Sequence, residues 1–438
     1  MDARNLPRPV PENFGAEMYE LISELYPICR SITGVGFRET LRRIDRLVPL
    51  KIHEVPTGTR VFDWTVPREW NIRDGYVKDG AGRRVIDFRT SNLHVVNYSV
   101  PIRATLTRAE LQEHLFSIPE HPDWIPYRTS YYKESWGFCL SHNQRLQLKD
   151  ETYEILIDSS LENGHLTFGE ALLEGTTDEE VLITCHACHP SLCNDNLSGV
   201  AVAAYLARAL KETRHRFSYR FLFIPGTIGS ITWLALNEDN VDRIRHGLVL
   251  ALLGDAGPFT YKRSRRGDAE IDRVAAHLLG GLPGGSRVRD FTPYGYDERQ
   301  FCSPGFDLPV GSLTRTPNGE YPEYHTSADN LDFVKPARLA ESYALCLSII
   351  DVLENNVRYI NLNPKCEPQL SRRGLYRPMG GEAMSAESEM ALLWVLNQSD
   401  GSRTLLDIVE RSRLPFGAIR SAADALKESG LLEARERP

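Results

Sequence analysis

The chain has 438 residues, with 51 basic and 59 acidic side chains and a formal net charge of −8 at pH 7. This length allows a large core and more than one domain, and the absence of a long basic run argues against binding to nucleic acid or to an anionic membrane. The N-terminal residues contain no apolar segment typical of a signal peptide, and the longest aliphatic run, Gly247 to Gly254, is too short to span a bilayer. We therefore expect a cytoplasmic protein without a membrane segment.

Two helices are predicted in the first 56 residues. Apolar residues recur at helical spacing between Gly15 and Leu47, and the segment from Ser31 to Gly34 interrupts this pattern with turn-forming residues. We assign residues 1–56 to an N-terminal helical part of the main domain, in which the helix pair covers one face.

Residues 57–150 differ in composition from the rest of the chain. Tryptophan, tyrosine, proline and short β-branched stretches replace the aliphatic pattern, which predicts a small β-rich domain inserted into the main one. The segment is either a purely structural insertion or a wall of a substrate cleft, since pockets favour domain interfaces. Its scattered histidines, which lack the spacing of metal ligands, are His94, His114, His121 and His142.

Strands and helices alternate in residues 151–365. Apolar strand-like runs such as Phe221 to Ile224 and Gly247 to Leu253 are separated by helical patterns. This alternation predicts an α/β fold with a mostly parallel sheet and helices on both faces. In such sheets, ligands bind at the carboxyl ends of the strands.

The most informative stretch reads VLITCHACHPSLCNDNLSG and begins at Val181. A strand-like run is followed by His186, His189, three cysteines and Asp195. Imidazole nitrogen, cysteine sulfur and carboxylate oxygen are the ligand atoms that zinc takes in proteins. The pattern therefore predicts a metal site where a strand ends.

These motifs resemble those of the co-catalytic zinc aminopeptidases, the family of the bacterial aminopeptidases and glutamate carboxypeptidases. That family has His-x-Asp at a strand end, followed by Asp-Asn-x-Ser-Gly. Here His186 takes the first position, Cys188 replaces the acid, and Asp195 to Gly199 repeat the second motif. The segments SITG at residue 31 and VPREWNI at residue 66 resemble the aminopeptidase-like proteins of bacterial polysaccharide-biosynthesis loci, and this likeness extends over nearly the whole chain.

The resemblance implies zinc as the cofactor, as one or two ions. It also implies four metal ligands, which are His186, Asp195, Asp255 and, in a closing His-Thr-x-x-Asp motif, His325. Asp255 alone would be an ordinary turn residue, but the order of the four residues favours ligands. His189 is an alternative ligand to which the resemblance gives no role.

Four other residues near these motifs affect the interpretation. A zinc ribbon is disfavoured because Cys185 and Cys188 form the only C-x-x-C pair in the sequence. Asp329 or Asp332 is the expected hydrogen-bond acceptor for the imidazole of His325.

One position departs from the family pattern in a way that matters for catalysis. Gly226 occupies the strand end where the family has a glutamate that binds metal or acts as the general base. Glu298 is a candidate replacement for this catalytic acid/base. The competing interpretation, which the sequence favours, is an ordinary loop ion pair between Glu298 and Arg299. The neighbouring residues that resemble a substrate-binding segment are Tyr296, Asp297 and Arg299.

A separate unit is predicted at residues 385–438. Three helical patterns, interrupted at Ser399 to Gly401 and at Pro415, precede a short strand pattern, which matches a winged helix-turn-helix. DNA binding requires a basic recognition helix, whereas Phe416 to Gly430 carries two basic and two acidic residues. We therefore expect this unit to contact a protein partner or a second copy of the chain, and not nucleic acid.

Two functions remain open from the sequence. The first is a zinc-dependent hydrolase of an amide or peptide bond, acting on a small aminoacyl or peptide-like substrate. The second is a catalytically inactive binding or scaffold protein of the same fold in a biosynthetic pathway, which the glycine at position 226 favours.

Overall fold

A computed structural model describes residues 13–375 and 385–435. Its strands are β1 Lys51–Pro56, β2 Arg60–Val61, β3 Trp64–Thr65, β4 Glu69–Lys78, β5 Arg84–Asp87, β6 Ile102–Thr107, β7 Leu115–Phe116, β8 Phe138–Cys139, β9 Thr152–Glu162, β10 His165–Leu173, β11 Glu180–His186, β12 Ser218–Ile224, β13 Ile244–Leu250, β14 Thr260–Lys262, β15 Arg287–Arg289, β16 Val310–Thr314, β17 Arg358–Asn361, β18 Asp400–Thr404 and β19 Leu432–Arg435. Its helices are α1 Phe14–Leu25, α2 Val35–Asp45, α3 Arg108–Gln112, α4 His142–Leu146, α5 Gly199–Lys211, α6 Ile228–Asn237, α7 Glu270–Gly280, α8 Glu298–Phe301, α9 Pro336–Asn355, α10 Ala386–Gln398, α11 Leu405–Ser412 and α12 Phe416–Glu428.

An eight-stranded sheet forms the centre of the larger part of the chain, in the order β1-β10-β12-β11-β13-β16-β14-β15. The four strands β12, β11, β13 and β16 are parallel, while β1, β10 and β14 pair in antiparallel fashion with their inner neighbours. Every residue of β11 is buried, as expected for a central strand with both faces covered. The α/β prediction is confirmed, with parallel pairing at the centre and mixed pairing toward the edges.

The crossover helices follow from the parallel pairing, because parallel neighbours require a long connection. Helix α5 links β11 to β12 and α6 links β12 to β13. The small apolar residues of α5 allow close packing, and ten of its thirteen residues are buried. Both connections leave the carboxyl ends of β11 and β12 at one edge of the sheet.

A four-stranded antiparallel sheet, β5-β4-β9-β6, forms the centre of the β-rich segment. It has its own core, in which Val77, Phe138, Tyr153 and Ile155 are buried. Strand β9 belongs to this sheet and not to the central one, although the sequence analysis places Tyr153 in the main α/β domain. The reason is that β9 alternates buried and half-exposed residues, which suits a sheet with one covered face.

The described chain divides into two compact units, one of residues 13–272 and 284–343 and the other of residues 273–283, 344–375 and 385–435. In the second unit, β18, β17 and β19 form a sheet in that order, and α10, α11 and α12 pack on one another through residues such as Leu392, Ile408 and Ile419. The turn predicted at Ser399 to Gly401 is instead the start of β18. Within the described residues, no helix combines the length and apolar character that crossing a membrane requires.

Candidate metal centre

Two neighbouring parallel strands end at the candidate site. His186 is the last residue of β11 and pairs in register with Ile224, the last residue of β12. Because Gly226 follows two residues later, His186 and Gly226 meet at the same edge of the sheet. The chain then forms an irregular helical turn, Cys193–Ser198, which brings Asp195 to the imidazole of His186.

Three imidazoles converge on the carboxylate of Asp195, which is fully buried. His186 Nε2 lies 2.9 Å from Asp195 Oδ1, while His189 Nδ1 and His325 Nε2 lie 3.2 Å and 2.9 Å from Oδ2. Ligand atoms of His186, His189 and Asp195 all lie within 4.8 Å of one another. The structure thus assembles three of the four residues named from sequence and adds His189.

The geometry of these groups fits a cation. Asp195 Oδ2 and His325 Nε2 are buried and close together, yet neither makes a hydrogen bond of acceptable geometry. Buried polar atoms rarely remain without a partner, and a metal ion bound to Asp195 would supply one for Oδ2. Because imidazole nitrogen and carboxylate oxygen are zinc ligands, the residues present fit zinc.

The electrostatics of Asp195 favour its ionised form. Burial acts to raise the pKa of this carboxyl group, but His189, His186 and His325 outweigh burial and hold the pKa well below its usual range. An ionised carboxylate is the form that binds metal. The cluster therefore presents a buried negative charge surrounded by nitrogen donors.

Hydrogen bonds from side chains of the loop after His186 hold this loop against the end of β13. Asn196 Nδ2 donates to the carbonyl of Leu250 at 3.0 Å, and Asn196 Oδ1 accepts from the backbone N–H of Leu252 at 3.1 Å. Ser198 Oγ accepts from the N–H of Leu253 at 2.8 Å and does not cap α5. The asparagine and serine of the Asp-Asn-x-Ser-Gly motif therefore position Asp195, and Asn196 Nδ2 also lies 3.5 Å from His186 Nδ1.

Asp255 lies outside the cluster of imidazoles. Its Oδ1 accepts hydrogen bonds from Thr316 Oγ1 at 2.7 Å and from the N–H of Gly257 at 2.6 Å. Its Oδ2 accepts from Asn194 Nδ2 at 3.1 Å and from the N–H of Thr316 at 3.2 Å. Since four donors contact the two oxygens, Asp255 stabilises the surrounding loops in this structure, and its role as a metal ligand stays a prediction.

Asp329 also supports the loop, in a different way from the sequence-based expectation. Its Oδ1 and Oδ2 accept from the backbone N–H groups of Asn194, at 2.6 Å, and Asp195, at 2.9 Å. The sequence predicts that Asp329 or Asp332 accepts a hydrogen bond from the imidazole of His325, but in the structure both oxygens of Asp329 accept from backbone N–H groups. Asp332 is exposed and does not serve this role either.

Gly226 faces the cluster from the neighbouring strand end. A Cβ atom on Gly226 would lie 3.6 Å from His186 Cβ and 3.7 Å from Cys188 Sγ, which are ordinary contact distances. Its N–H donates to Cys188 Sγ at 3.3 Å, and burial raises the pKa of the Cys188 thiol to about 12. The site therefore has space for a side chain at position 226 and holds Cys188 as a neutral thiol.

Two of the predicted substrate-binding residues line the cavity beside the cluster. Tyr296 stacks on His186, with ring centroids 5.1 Å apart and planes 14° apart. Asp297 Oδ1 accepts from the N–H of Thr227 at 2.7 Å and from Ser230 Oγ at 2.8 Å, so it caps the start of α6. The cavity, of about 340 Å³, is bordered by both side chains.

Glu298 and Arg299 do not line this cavity. Glu298 is fully buried and forms an ion pair with Lys262. Burial raises its pKa, although the ammonium of Lys262 acts to lower it. Replacement of the missing glutamate by Glu298 does not fit this arrangement, because its carboxylate is paired away from the imidazoles.

Aromatic side chains that the sequence analysis did not assign form much of the cavity wall. Trp64, Tyr131 and Tyr132 come from the β-rich segment, and Tyr324 stacks on His325 with ring centroids 4.0 Å apart. Trp64 and Tyr132 are exposed and make an edge-to-face contact. No motif or spacing links these residues to the metal ligands, so only the fold reveals them. The β-rich segment does wall the cavity.

The same segment also fixes His325. The backbone N–H of Tyr127 donates to the carbonyl of His325 at 2.8 Å, and the ring of Tyr127 contacts those of His189 and His325 edge-on. His325 itself has a positive φ of 57°, a conformation that is costly for a non-glycine residue and recurs at functional sites. This contact maintains the conformation that points His325 toward Asp195.

Arg30 is a further residue that sequence alone did not identify. It is 0% exposed and donates from Nε and Nη2 to the carbonyl of His189, at 3.0 Å and 2.8 Å. The position next to the Ser-Ile-Thr-Gly segment is the only sequence signal that could have found it. Arg30 therefore positions the backbone of His189.

The chain is similar to known proteins over most of its length. Residues 19–356 match a family described as a domain of unknown function (DUF4910), and residues 357–434 match a winged helix-turn-helix family. A candidate polysaccharide biosynthesis protein with an aminopeptidase-like domain, from Clostridium acetobutylicum, is 54% identical over 419 residues, which is 96% of each chain.

Solved structures agree with this relationship. A candidate peptidase from Clostridium acetobutylicum superposes with a TM-score of 0.92 and 52% identity, over 97% of this chain and 98% of that one. A zinc aminopeptidase from Bacillus subtilis superposes with a TM-score of 0.56 at 15% identity, over 78% of this chain and 95% of that one. The second likeness concerns the fold alone.

Proposed function

The chain belongs to the family of aminopeptidase-like polysaccharide biosynthesis proteins, and we propose that it is a zinc-dependent hydrolase of an amide or peptide bond. The observation that supports this most directly is the convergence of His186, His189 and His325 on the buried carboxylate of Asp195. The name of the relative favours a role in polysaccharide biosynthesis. The substrate would be a small aminoacyl or peptide-like amide.

The residues of the chain would hold zinc and shape the space around it. Zinc, when bound, supplies a Lewis acid that polarises the scissile carbonyl and activates water. Tyr296 and Tyr324 stack on His186 and His325 and restrict the orientations of the two imidazoles. Trp64 and Tyr132, at the exposed end of the cavity, offer apolar surface for the part of the substrate beyond the amide.

The proposal is tested by removing the carboxylate on which the imidazoles converge. We expect the purified chain to retain zinc and to release amine from some member of a panel of aminoacyl amides, and Asp195→Asn to lose both properties. Asp332→Asn, at an exposed position in the His325 loop, is the matched control and should change neither. Turnover that survives both chelation and Asp195→Asn would rule out this site as the source of hydrolysis.

A second candidate function is a catalytically inactive binding protein that retains the fold and the metal. Gly226 favours it, because a glycine can neither bind metal nor accept a proton, and Asp297 already caps α6. Glutamate is absent from the cavity lining given by the described residues. General base catalysis contributes roughly 10²- to 10⁴-fold to a rate. A site without such a group would still bind an amide but would hydrolyse it slowly.

The two candidates differ in their response to a glutamate at position 226. If the chain is an inactive binding protein, Gly226→Glu should create zinc-dependent amide hydrolysis at least 100-fold above the unsubstituted chain, since general base catalysis is worth about that much. Gly226→Gln has a similar volume without the carboxylate and should remain inactive. A clear zinc-dependent rate in the unsubstituted chain that Gly226→Glu does not raise would argue against the inactive binding protein.

A further inference from the structure

We infer that this chain binds a single metal ion through His186, His189 and Asp195, with His189 as a ligand, in place of the two-ion site that the sequence resemblance implies. The inference rests on the metal site of the proposed function and extends it to the number of ions and the identity of their ligands.

The residues around Asp195 offer enough metal ligands for one ion but not for two. His186, His189 and Asp195 offer three ligand atoms within 4.8 Å of one another, which matches the three protein ligands and one open position of catalytic zinc sites. A second ion would share Asp195 and bind His325. It would then have two protein ligands, which is fewer than zinc sites in proteins usually have.

The second argument concerns the residues that would complete a second ion's site. Position 226 is a glycine, so no side chain reaches the cluster from the end of β12. The carboxylate of Asp255 already accepts hydrogen bonds from Thr316, Gly257 and Asn194, and it does not belong to the group of close ligand atoms around Asp195. Cys188 Sγ accepts a hydrogen bond from the N–H of Gly226 at 3.3 Å.

The third argument is that His189 is held in place from several sides. Buried Arg30 donates two hydrogen bonds to its carbonyl, and its ring contacts those of Tyr127 and His186 edge-on, at centroid distances of 5.2 Å and 4.9 Å. His189 Nδ1 lies 3.2 Å from the carboxylate oxygen Oδ2 of Asp195 and 3.3 Å from the carbonyl oxygen of the same residue. The geometry is that of a donor prepared for a cation beside Asp195.

The experiment is a zinc titration of the metal-free chain against a chromophoric chelator. We expect one ion per chain. We also expect at least a tenfold loss of zinc affinity in His189→Phe, which keeps an aromatic ring at this position but has no ring nitrogens. His121→Phe is the matched control, because His121 stacks on Trp124 away from the cavity, and should leave the affinity unchanged. His189→Gln, with circular dichroism as a check of folding, replaces His189→Phe if the latter does not fold.

Each outcome separates this inference from the proposed function. Two ions per chain, or an unchanged affinity in both His189 variants, would overturn the inference even if the chain hydrolyses amides. One ion whose affinity depends on His189 would support the inference even if no amide is hydrolysed. A chain that binds no zinc in the titration would overturn both. Gly226→Glu adds a further readout, since the restored carboxylate should raise the stoichiometry toward two.

Discussion

Single residues decide how the candidate centre is organised. The imidazoles lie against the carboxylate of Asp195. Arg30, Asp329 and Asn196 form hydrogen bonds that position the loop between His186 and Ser198. Arg30 is unusual because a fully buried guanidinium is costly unless its donors are used. Its N–H groups donate to the carbonyls of Leu25 and His189, and these hydrogen bonds connect the end of α1 to the loop that follows β11.

The position of His189 should therefore depend on Arg30. We expect Arg30→Lys to weaken zinc binding by roughly tenfold, because an ammonium cannot reproduce the planar pair of N–H donors, and loss of such supporting contacts typically costs 10- to 100-fold in metal affinity. Zinc competition with a chelator measures this. Arg73→Lys is the control, since Arg73 forms an exposed pair with Asp158 on the four-stranded sheet, and it should leave zinc affinity unchanged. Equal affinities in the two variants would show that Arg30 does not position His189.

The sequence could predict the proximity of the main groups but not their individual roles. His186 and Asp195 belong to a motif at a strand end, and His325 to a later motif, so their convergence follows from the strand order. The hydrogen bonds of Asp255 and the ion pair of Glu298 depend on loop geometry, which residue spacing does not reveal. Whether Asp255 binds metal stays a prediction.

Between elements, a partly buried ion pair connects α2 to β4. Arg38 donates to both carboxylate oxygens of Glu69, and the contact joins the N-terminal helices to the β-rich sheet. Burial acts to raise the pKa of Glu69, but hydrogen bonds from Arg38, Asn71 and the N–H of His165 outweigh it and lower the pKa to about 2. The contact is therefore strongest when Glu69 is ionised.

This pair predicts an acid-dependent loss of stability. Because the pKa of Glu69 is lower in the folded than in the unfolded chain, its ionised form stabilises the fold above about pH 4.5, and this contribution disappears as the pH falls toward 2. We expect Glu69→Gln to lower the free energy of unfolding by about 2 kcal/mol at pH 7 and to flatten the decline below pH 5. Denaturant unfolding at several pH values measures the difference.

The matched control for this experiment is Glu134→Gln. Glu134 pairs with Arg68 through a side chain that is 69% exposed, and exposed pairs contribute little to stability. Parallel pH profiles for Glu69→Gln and the unsubstituted chain would contradict the role assigned to Glu69.

Helices and strands with a clear hydrophobic pattern could be predicted from the sequence. Which sheet a strand joins could not always be predicted. The buried runs of β11 and β13 and the helix after Gly199 are evident in the sequence. The assignment of β9 to the small sheet was not, because an amphipathic strand can pair in either sheet and only the register with β4 and β6 decides.

At the scale of the whole molecule, the C-terminal unit has the fold of a winged helix-turn-helix without the charge pattern of a DNA reader. Helix α12 carries Arg420 and Lys427 against Asp424 and Glu428. Arg420 is also paired with Asp351 at 2.9 Å. We propose that this unit contacts a protein partner or a second copy of the chain and not nucleic acid.

Fluorescence anisotropy with a labelled duplex tests this proposal. We expect no binding tighter than about 10⁻⁴ M even at low salt, because non-specific affinity comes from phosphates neutralised by basic side chains. Binding that weakens steeply with added salt would contradict the proposal. Sedimentation of the same sample reports self-association.

Anomalous diffraction at the zinc absorption edge, from crystals of the zinc-loaded chain, is the decisive test of the metal centre at Asp195. We expect one strong peak beside Asp195, within bonding distance of His186 Nε2 and of a ring nitrogen of His189. A peak at another place, or no peak at Asp195 in a crystal that contains zinc elsewhere, would contradict it.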